Sequence, residues 1–92
     1  MTDTIGTILN ERGGRYGNYL EQATISNELR RCIDFWVREK DTKLAPDQTD
    51  ALIMMSVKIS RIINGDPDYA DNWRDIAGYA TLVAERLEGK KR

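Results

Sequence analysis

Apolar side chains recur every three or four residues along most of the chain, which is the spacing of one face of an α-helix. Four stretches carry this pattern, and it predicts helices over residues 3–11, 18–38, 46–64 and 68–88. No stretch of useful length alternates apolar and polar positions as a strand does, and no segment repeats another. The prediction is an all-α fold in a single domain that covers residues 1–92.

Each of the three longer predicted helices carries one apolar stripe. The stripes consist of Tyr19, Ala23, Ser26, Leu29, Ile33 and Trp36 on the second helix, Leu52, Met55, Ile59, Ile62 and Ile63 on the third, and Tyr69, Trp73, Ile76, Ala80, Val83 and Leu87 on the fourth. Since an amphipathic helix turns its apolar stripe towards the core, we expect these residues, including both tryptophans, to form the core. The alternative for either tryptophan is to stack on a base at the edge of a pocket.

Glycine and proline mark the ends of the predicted helices. Gly13 and Gly14 predict the end of the first helix, because paired glycines lower helix propensity. Pro46 suits the first turn of the third helix, and Gly65 suits a left-handed cap at its end. Asp66 or Asp68 can then begin the fourth helix by accepting hydrogen bonds from free backbone N–H groups.

The short bend "NGDP" predicts that the third and fourth helices form an antiparallel hairpin. Residues equally distant from the bend then lie side by side, so we expect Arg61 near Asp71 or Asn72, and Lys58 near Asp75. One interpretation is a set of ion pairs that fix the register of the hairpin. The other is a binding site. In it Asp71 and Asp75 hold a divalent metal ion, while Lys58 and Arg61 bind phosphate oxygens, with Asn72 and Tyr79 at hand.

The stretch "ERGGRYGNY", residues 11–19, places glycines, arginines and tyrosines just before the second helix. Backbone N–H groups next to glycine and at a helix N-terminus attract anions, and Arg15 adds a bidentate phosphate contact, with Tyr16 beside it. The alternative is a loop whose glycines only turn the chain, while Tyr16 and Tyr19 fill the core. The segment matches neither the P-loop nor the dinucleotide-binding pattern.

Composition narrows the possible functions. The net charge of −1 disfavours nucleic-acid binding, which needs a concentrated basic surface. The chain has no histidine and one cysteine, so the familiar zinc sites are excluded, and any metal would be magnesium or manganese held by carboxylates. No catalytic nucleophile or general base stands out. Neither a signal peptide nor a membrane-spanning run is present, so we expect a cytoplasmic protein that is not inserted in a membrane.

The segments "RGGRYGNY", "ALIMMSVKISRI" and "DNWRDIAGYATL" together resemble a family of small phage and prophage proteins of unknown function. The resemblance covers roughly residues 11–87. That family is in turn similar to the MazG-like all-α nucleoside triphosphate pyrophosphohydrolases, in which four-helix units associate and magnesium lies between helices. The resemblance implies a MazG-like helical bundle, with Asp71 and Asp75 in the place of the second acidic pair. Lys58 and Arg61 stand where the first acidic pair is expected.

The exchange of two anionic metal ligands for two cations favours a phosphate site over a catalytic metal site. We therefore expect a phage-encoded protein, in the cytoplasm of the host cell, that binds a nucleotide or another phosphorylated metabolite without efficient catalysis. Two alternatives stay open: an interaction protein that binds a host protein, and an active magnesium-dependent pyrophosphohydrolase. A chain of this length buries a limited core, so we also expect a homo-oligomer, in the first place a dimer.

Overall fold

The fold of the chain is all-α, as predicted. A computed structural model describes residues 4–91. They form four helices: α1 (Thr4–Tyr16), α2 (Tyr19–Glu39), α3 (Pro46–Asn64) and α4 (Ala70–Leu87). The described residues contain no strand. Within the same residues, no helix is both long and apolar enough to cross a membrane.

Two of the predicted helix ends are wrong. α1 continues through Gly13 and Gly14 to Tyr16, and it ends only where Gly17 adopts a left-handed conformation (φ +76°). A glycine inside a helix costs only about 1 kcal/mol relative to alanine, so tertiary contacts at the end of α1 outweigh it. The fourth helix begins at Ala70, after a turn in which Asp66 Oδ1 accepts from the backbone N–H of Asp68 (2.9 Å).

α3 is the central helix. It begins at Pro46, as predicted, and the side-chain oxygen of Gln48 accepts from the backbone N–H of Ala45 (2.8 Å). α2 packs against one side of α3 and α4 against another, whereas no described Cα atom of α2 lies within 8 Å of one in α4. An ion pair between Asp47 and Arg86 joins the start of α3 to the end of α4, so these helices form the predicted antiparallel hairpin.

The side chains that the fold buries are small or polar. Among the described residues they are Gln22, Ser26, Ala51, Ser56, Ser60 and Asn72. Ser56 and Ser60 donate hydrogen bonds from their hydroxyls to carbonyl oxygens of their own helix, at 2.8 and 2.6 Å. Small side chains whose polar atoms are satisfied in this way let α3 approach its neighbours closely.

The prediction that the apolar stripes form the core of the chain is wrong for most of their members, and Ser26 is the one stripe residue that is buried among the described residues. Trp36, Ile63 and Trp73 are 53%, 66% and 55% exposed, and Tyr19 and Leu87 are exposed as well. The reason lies in the arrangement of the helices: α3 meets α2 and α4 through the residues on either side of its stripe. Because α2 and α4 do not close over α3, the stripe stays at the surface of the layer.

Candidate functional site

The end of α1 and the end of α3 are joined by backbone contacts. The side-chain N–H groups of Asn64 donate to the carbonyl oxygens of Tyr16 and Asn18, both at 2.9 Å. The backbone N–H of Asp66 donates to the carbonyl oxygen of Arg15 at 2.6 Å. We call this contact between residues 15–18 and 64–66 the junction. It brings together the two stretches that the sequence singled out separately.

Two glycines make the junction possible. A Cβ atom on Gly17 would lie 2.0 Å from the carbonyl oxygen of Asn64, and one on Gly65 would lie 1.9 Å from that of Arg15. Any other residue would collide with the opposite backbone. The predicted left-handed cap at Gly65 is wrong, since its φ is −131°, and this glycine is needed for close approach instead.

Beside the junction lies a group of three arginines and two tyrosines, which we call the arginine–tyrosine cluster: Arg12, Arg15, Tyr16, Arg61 and Tyr69. The guanidinium carbons of Arg61 and Arg12 lie 4.6 and 5.6 Å from the centre of the Tyr16 ring. That of Arg15 lies 4.8 Å from the centre of the Tyr69 ring. The two rings meet edge to face, with their centres 6.3 Å apart. Each guanidinium thus lies within cation–π distance of a ring.

The guanidinium groups of the cluster form no described ion pair. No described carboxylate lies within 4.0 Å of the guanidinium nitrogens of Arg12, Arg15 or Arg61. Two of these groups share one tyrosine ring, so their charges are at most about 10 Å apart, which is about the Debye length at 0.1 M salt. A site with several donors and excess positive charge is suited to an anion.

Two buried N–H groups near the bend of the hairpin lack acceptors in the described structure. They are Nε of Arg61 and the side-chain amide nitrogen of Asn72. Asn72 is only 1% exposed. The contact between Lys58 and Asp75 sets the register of the hairpin. Arg61 and Asn72 each lie three residues nearer the bend, so this register places them at the same level. A buried donor without an acceptor costs about 1 to 3 kcal/mol, so a ligand oxygen or a water at this level would be stabilising.

Asp71 lies at the edge of the cluster but does not neutralise it. Its Oδ2 accepts from the hydroxyl of Tyr69 at 3.0 Å, and its Oδ1 from Arg74 at 3.3 Å. The hydrogen bond to Asp71 raises the pKa of the Tyr69 phenol, because the protonated hydroxyl is the form that donates. The predicted proximity of Arg61 to Asp71 therefore yields no ion pair, since Asp71 turns to its own helix and Arg61 stacks on Tyr16.

The other predicted ion pair is present. Nζ of Lys58 lies 2.9 Å from Oδ2 of Asp75. The side chain of Lys58 is only 12% exposed, whereas that of Asp75 is 47% exposed. The pair holds α3 to α4 one turn further from the bend than the cluster.

The predicted metal ligands are both engaged by protein groups, Asp71 by Tyr69 and Arg74, and Asp75 by Lys58. Within the described residues, no three histidine, cysteine or acidic side chains come together in a way that could hold a metal ion. A magnesium ion at Asp71 and Asp75 stays a prediction.

Tyr79 lies apart from the other predicted site residues. It is half-buried one turn beyond Asp75 and lines a shallow groove along α4 with Ala77 and Leu82. A different groove, of about 500 Å³, opens directly at the cluster between α1 and the start of α2. It is lined by Leu9, Arg12, Gly13, Tyr16, Gly17, Asn18, Tyr19 and Gln22.

Sequence reasoning missed Arg12, Tyr69 and Asn64 as parts of the site. The sequence pattern places Tyr69 on the apolar stripe of the fourth helix, and Asn64 lies directly before Gly65 at the end of the third predicted helix. Arg12 lies three residues before Arg15, so a helix that continues through Gly13 and Gly14 would have placed both arginines on one face. A first helix that extends beyond Gly14 is therefore the feature that would have indicated Arg12 as a site residue.

The fold and the junction define a small all-α protein with a cationic, tyrosine-lined corner. The chain belongs to the family described as Domain of unknown function (DUF6378), whose model matches residues 1–87. A search of curated proteins found no match, and a search of solved structures found none either. The comparisons support a family of unknown function, and the predicted similarity to MazG-like enzymes and the phage origin stay predictions.

Proposed function

We propose that the protein binds a phosphorylated small molecule, in the first place a nucleotide, at the arginine–tyrosine cluster. The observation that carries the proposal is the unpartnered Nε of Arg61, buried beside Tyr16 in a cluster of arginines that has no described carboxylate partner. Phosphate supplies several acceptor oxygens and negative charge at once, and guanidinium groups bind it through paired hydrogen bonds.

The groove between α1 and α2 supports a ligand larger than phosphate alone. Arg12 and Tyr16 belong both to the cluster and to the lining of this groove, and Leu9 and Tyr19 add apolar and aromatic surface to it. In this proposal the phosphates lie against Arg12, Arg15 and Arg61, while the base or another apolar group occupies the groove. Lys58 keeps its partner Asp75 and stays outside the phosphate site.

The proposal is for binding without efficient catalysis. Asp71 and Asp75 already accept hydrogen bonds from Tyr69 and Lys58, so metal binding there would compete with these contacts. A MazG-like ancestry is compatible with this proposal, in which cations on α3 serve phosphate in place of a metal. Binding of a host protein remains the alternative predicted from the sequence.

Titration calorimetry with pyrophosphate and nucleoside triphosphates, each with and without magnesium, tests the proposal. The variant R15A should weaken binding roughly tenfold to hundredfold, the loss expected for one hydrogen-bonded charge. R31A is the matched control, because Arg31 is an exposed arginine on α2 and no member of the cluster. Equal affinities of R15A, R61K and wild type, or no binding of any phosphate compound, would contradict the proposal. Release of pyrophosphate at a useful rate would show catalysis instead.

A further inference from the structure

The three-helix layer leaves one side apolar and uncovered. Its members are Ile25, Leu29 and Trp36 on α2, Leu52, Met55, Ile59, Ile62 and Ile63 on α3, and Trp73, Ile76, Ala80, Val83 and Leu87 on α4. We call this surface the apolar face. Among the described residues, α2 and α4 flank α3 without meeting, and Trp36, Ile59, Ile63 and Trp73 on this face are exposed.

Helical geometry puts the α3 and α4 parts of the face on the same side. Ile59 directly follows Lys58, and Ile76 directly follows Asp75, the two residues that touch across the hairpin. Successive residues are turned by about 100° around the axis of a helix. In two antiparallel helices that lie side by side, the residues that directly follow the two contacting residues therefore point to the same side of the layer.

The same argument adds α2. Ser26 on α2 and Ser60 on α3 are both buried, and each directly follows an isoleucine, Ile25 and Ile59. Ser60 is turned by about 200° from Lys58 around α3, so it lies on the side away from α4, where α2 packs. α2 and α3 are also antiparallel neighbours, joined by residues 40–45. Ile25 and Ile59, which directly precede these serines, therefore lie on the same side of the layer, and this side also carries Ile76.

The total exposed surface is large enough for a second copy of the chain to cover this face. The chain exposes 6888 Å², whereas a compact monomer of 10.5 kDa exposes about 5,400 Å². Its radius of gyration is 15.7 Å, against about 12 Å for a compact domain of this length. The excess of about 1,500 Å² exceeds the roughly 800 Å² that each partner buries in a standard protein interface.

We infer that a second copy of this chain covers the apolar face, so that the protein is a homodimer whose core forms between two three-helix layers. The dimer core then contains the whole predicted stripe of α3, the stripe of α4 without Tyr69, and Leu29 and Trp36 from the stripe of α2. The inference is independent of ligand binding, since the cluster is not among the residues that define the face.

Sedimentation equilibrium of the ligand-free chain tests the inference. Wild type should have twice the chain mass of 10.5 kDa, and I59E should have the mass of one chain. Ile59 is already 37% exposed in the single chain, so the new carboxylate reaches water and the helices persist by circular dichroism. If I59E loses its helices, I63E serves instead, because Ile63 is more exposed.

L82E is the matched control. Leu82 is exposed on α4, where it lies with Asp47 and Arg86, outside the apolar face. This variant should keep the mass of the dimer. A wild type that stays a single chain at every concentration, a dimer that L82E dissociates as readily as I59E, or a purified complex with a different protein would overturn the inference.

Discussion

At the scale of residues, the ammonium group of Lys58 depends on a single carboxylate. Lys58 is largely buried, and its described ion pair is the one with Asp75 at 2.9 Å. Ion pairs at a surface contribute little, but a charge that is nearly out of water is costly when its partner is removed. The main effect of the pair on stability is therefore that the largely buried ammonium group of Lys58 would lack a partner without Asp75.

We expect D75A to lower the free energy of unfolding by about 1 to 3 kcal/mol, because it leaves the ammonium group of Lys58 without an acceptor. The measurement is urea unfolding followed by circular dichroism. D50A is the control, since Asp50 is an exposed carboxylate of the neighbouring helix α3 and its loss changes the net charge equally. Equal free energies of unfolding for D75A and D50A would mean that the ion pair between Lys58 and Asp75 does not stabilise the fold.

Asp47 makes the stability of the chain depend on pH. The hydrogen bond from Arg86 holds the pKa of Asp47 below its ordinary value of 3.8, so the unfolded chain binds this proton more readily than the folded one. The stabilisation is fully present above pH 4 and is lost as the pH falls through the lowered pKa. The same contact raises the pKa of Arg86, so the guanidinium group of Arg86 stays protonated throughout this pH range.

We therefore expect the urea midpoint of wild type to exceed that of D47N at pH 7, and the difference to shrink as the pH falls below about 3.5. Acidification alone is not a sufficient test, because other carboxylates also titrate. The quantity to follow is the difference between the two proteins at each pH. A difference that stays constant down to pH 2 would show that the contact between Asp47 and Arg86 does not stabilise the fold.

At the scale of elements, the junction explains why α1 ends where it does. Gly17 supplies a positive φ, and both Gly17 and Gly65 let two backbones touch. Gly13 and Gly14, by contrast, lie inside α1, where a Cβ atom would meet nothing within 4 Å. Gly13 and Gly14 can therefore be replaced without a collision, whereas Gly17, four and three residues later in the chain, cannot.

We expect G17A to destabilise the fold by at least about 2 kcal/mol, because alanine is strained at φ +76° and its Cβ would collide with Asn64. G14A is the matched control and should stabilise the fold by roughly 0.5 to 1 kcal/mol through helix propensity. Thermal unfolding of both variants measures the contrast. A G17A variant as stable as G14A would show that the junction does not form.

Local contacts could be predicted from the sequence, and distant ones could not. The start of α3 at Pro46 and the pairing of Lys58 with Asp75 follow from a cap and from a short bend, both of which act over a few residues. Tyr16 reaches Arg61 from a segment 45 positions away, and no periodicity within either segment encodes that meeting. The absence of an ion pair between Arg61 and Asp71 is a consequence of this distant contact, since Arg61 lies over the ring of Tyr16.

At the scale of the whole molecule, the apolar stripes were assigned correctly to helices but not to a core within one chain. Periodicity shows which side of a helix is apolar, but not which molecule covers it. Single-chain packing around α3 buries Ser56 and Ser60, which lie outside the predicted stripes, together with Ser26, the one stripe member that is buried among the described residues.

If two copies share the apolar face, the melting temperature of wild type should rise with protein concentration, because mass action favours the folded dimer. The melting temperature of I59E should be independent of concentration. Differential scanning calorimetry over a wide range of concentrations measures both. A wild-type melting temperature that does not change with concentration would argue against a dimer that unfolds and dissociates together.

The junction also has a consequence for truncation of the chain. Its last member is Asp66, whereas α4 begins at Ala70, so a chain cut after Pro67 keeps every residue of the junction. The described contacts that join α1 to α3 contain no residue of α4. The same cut would remove Asp75, the partner of the largely buried Lys58.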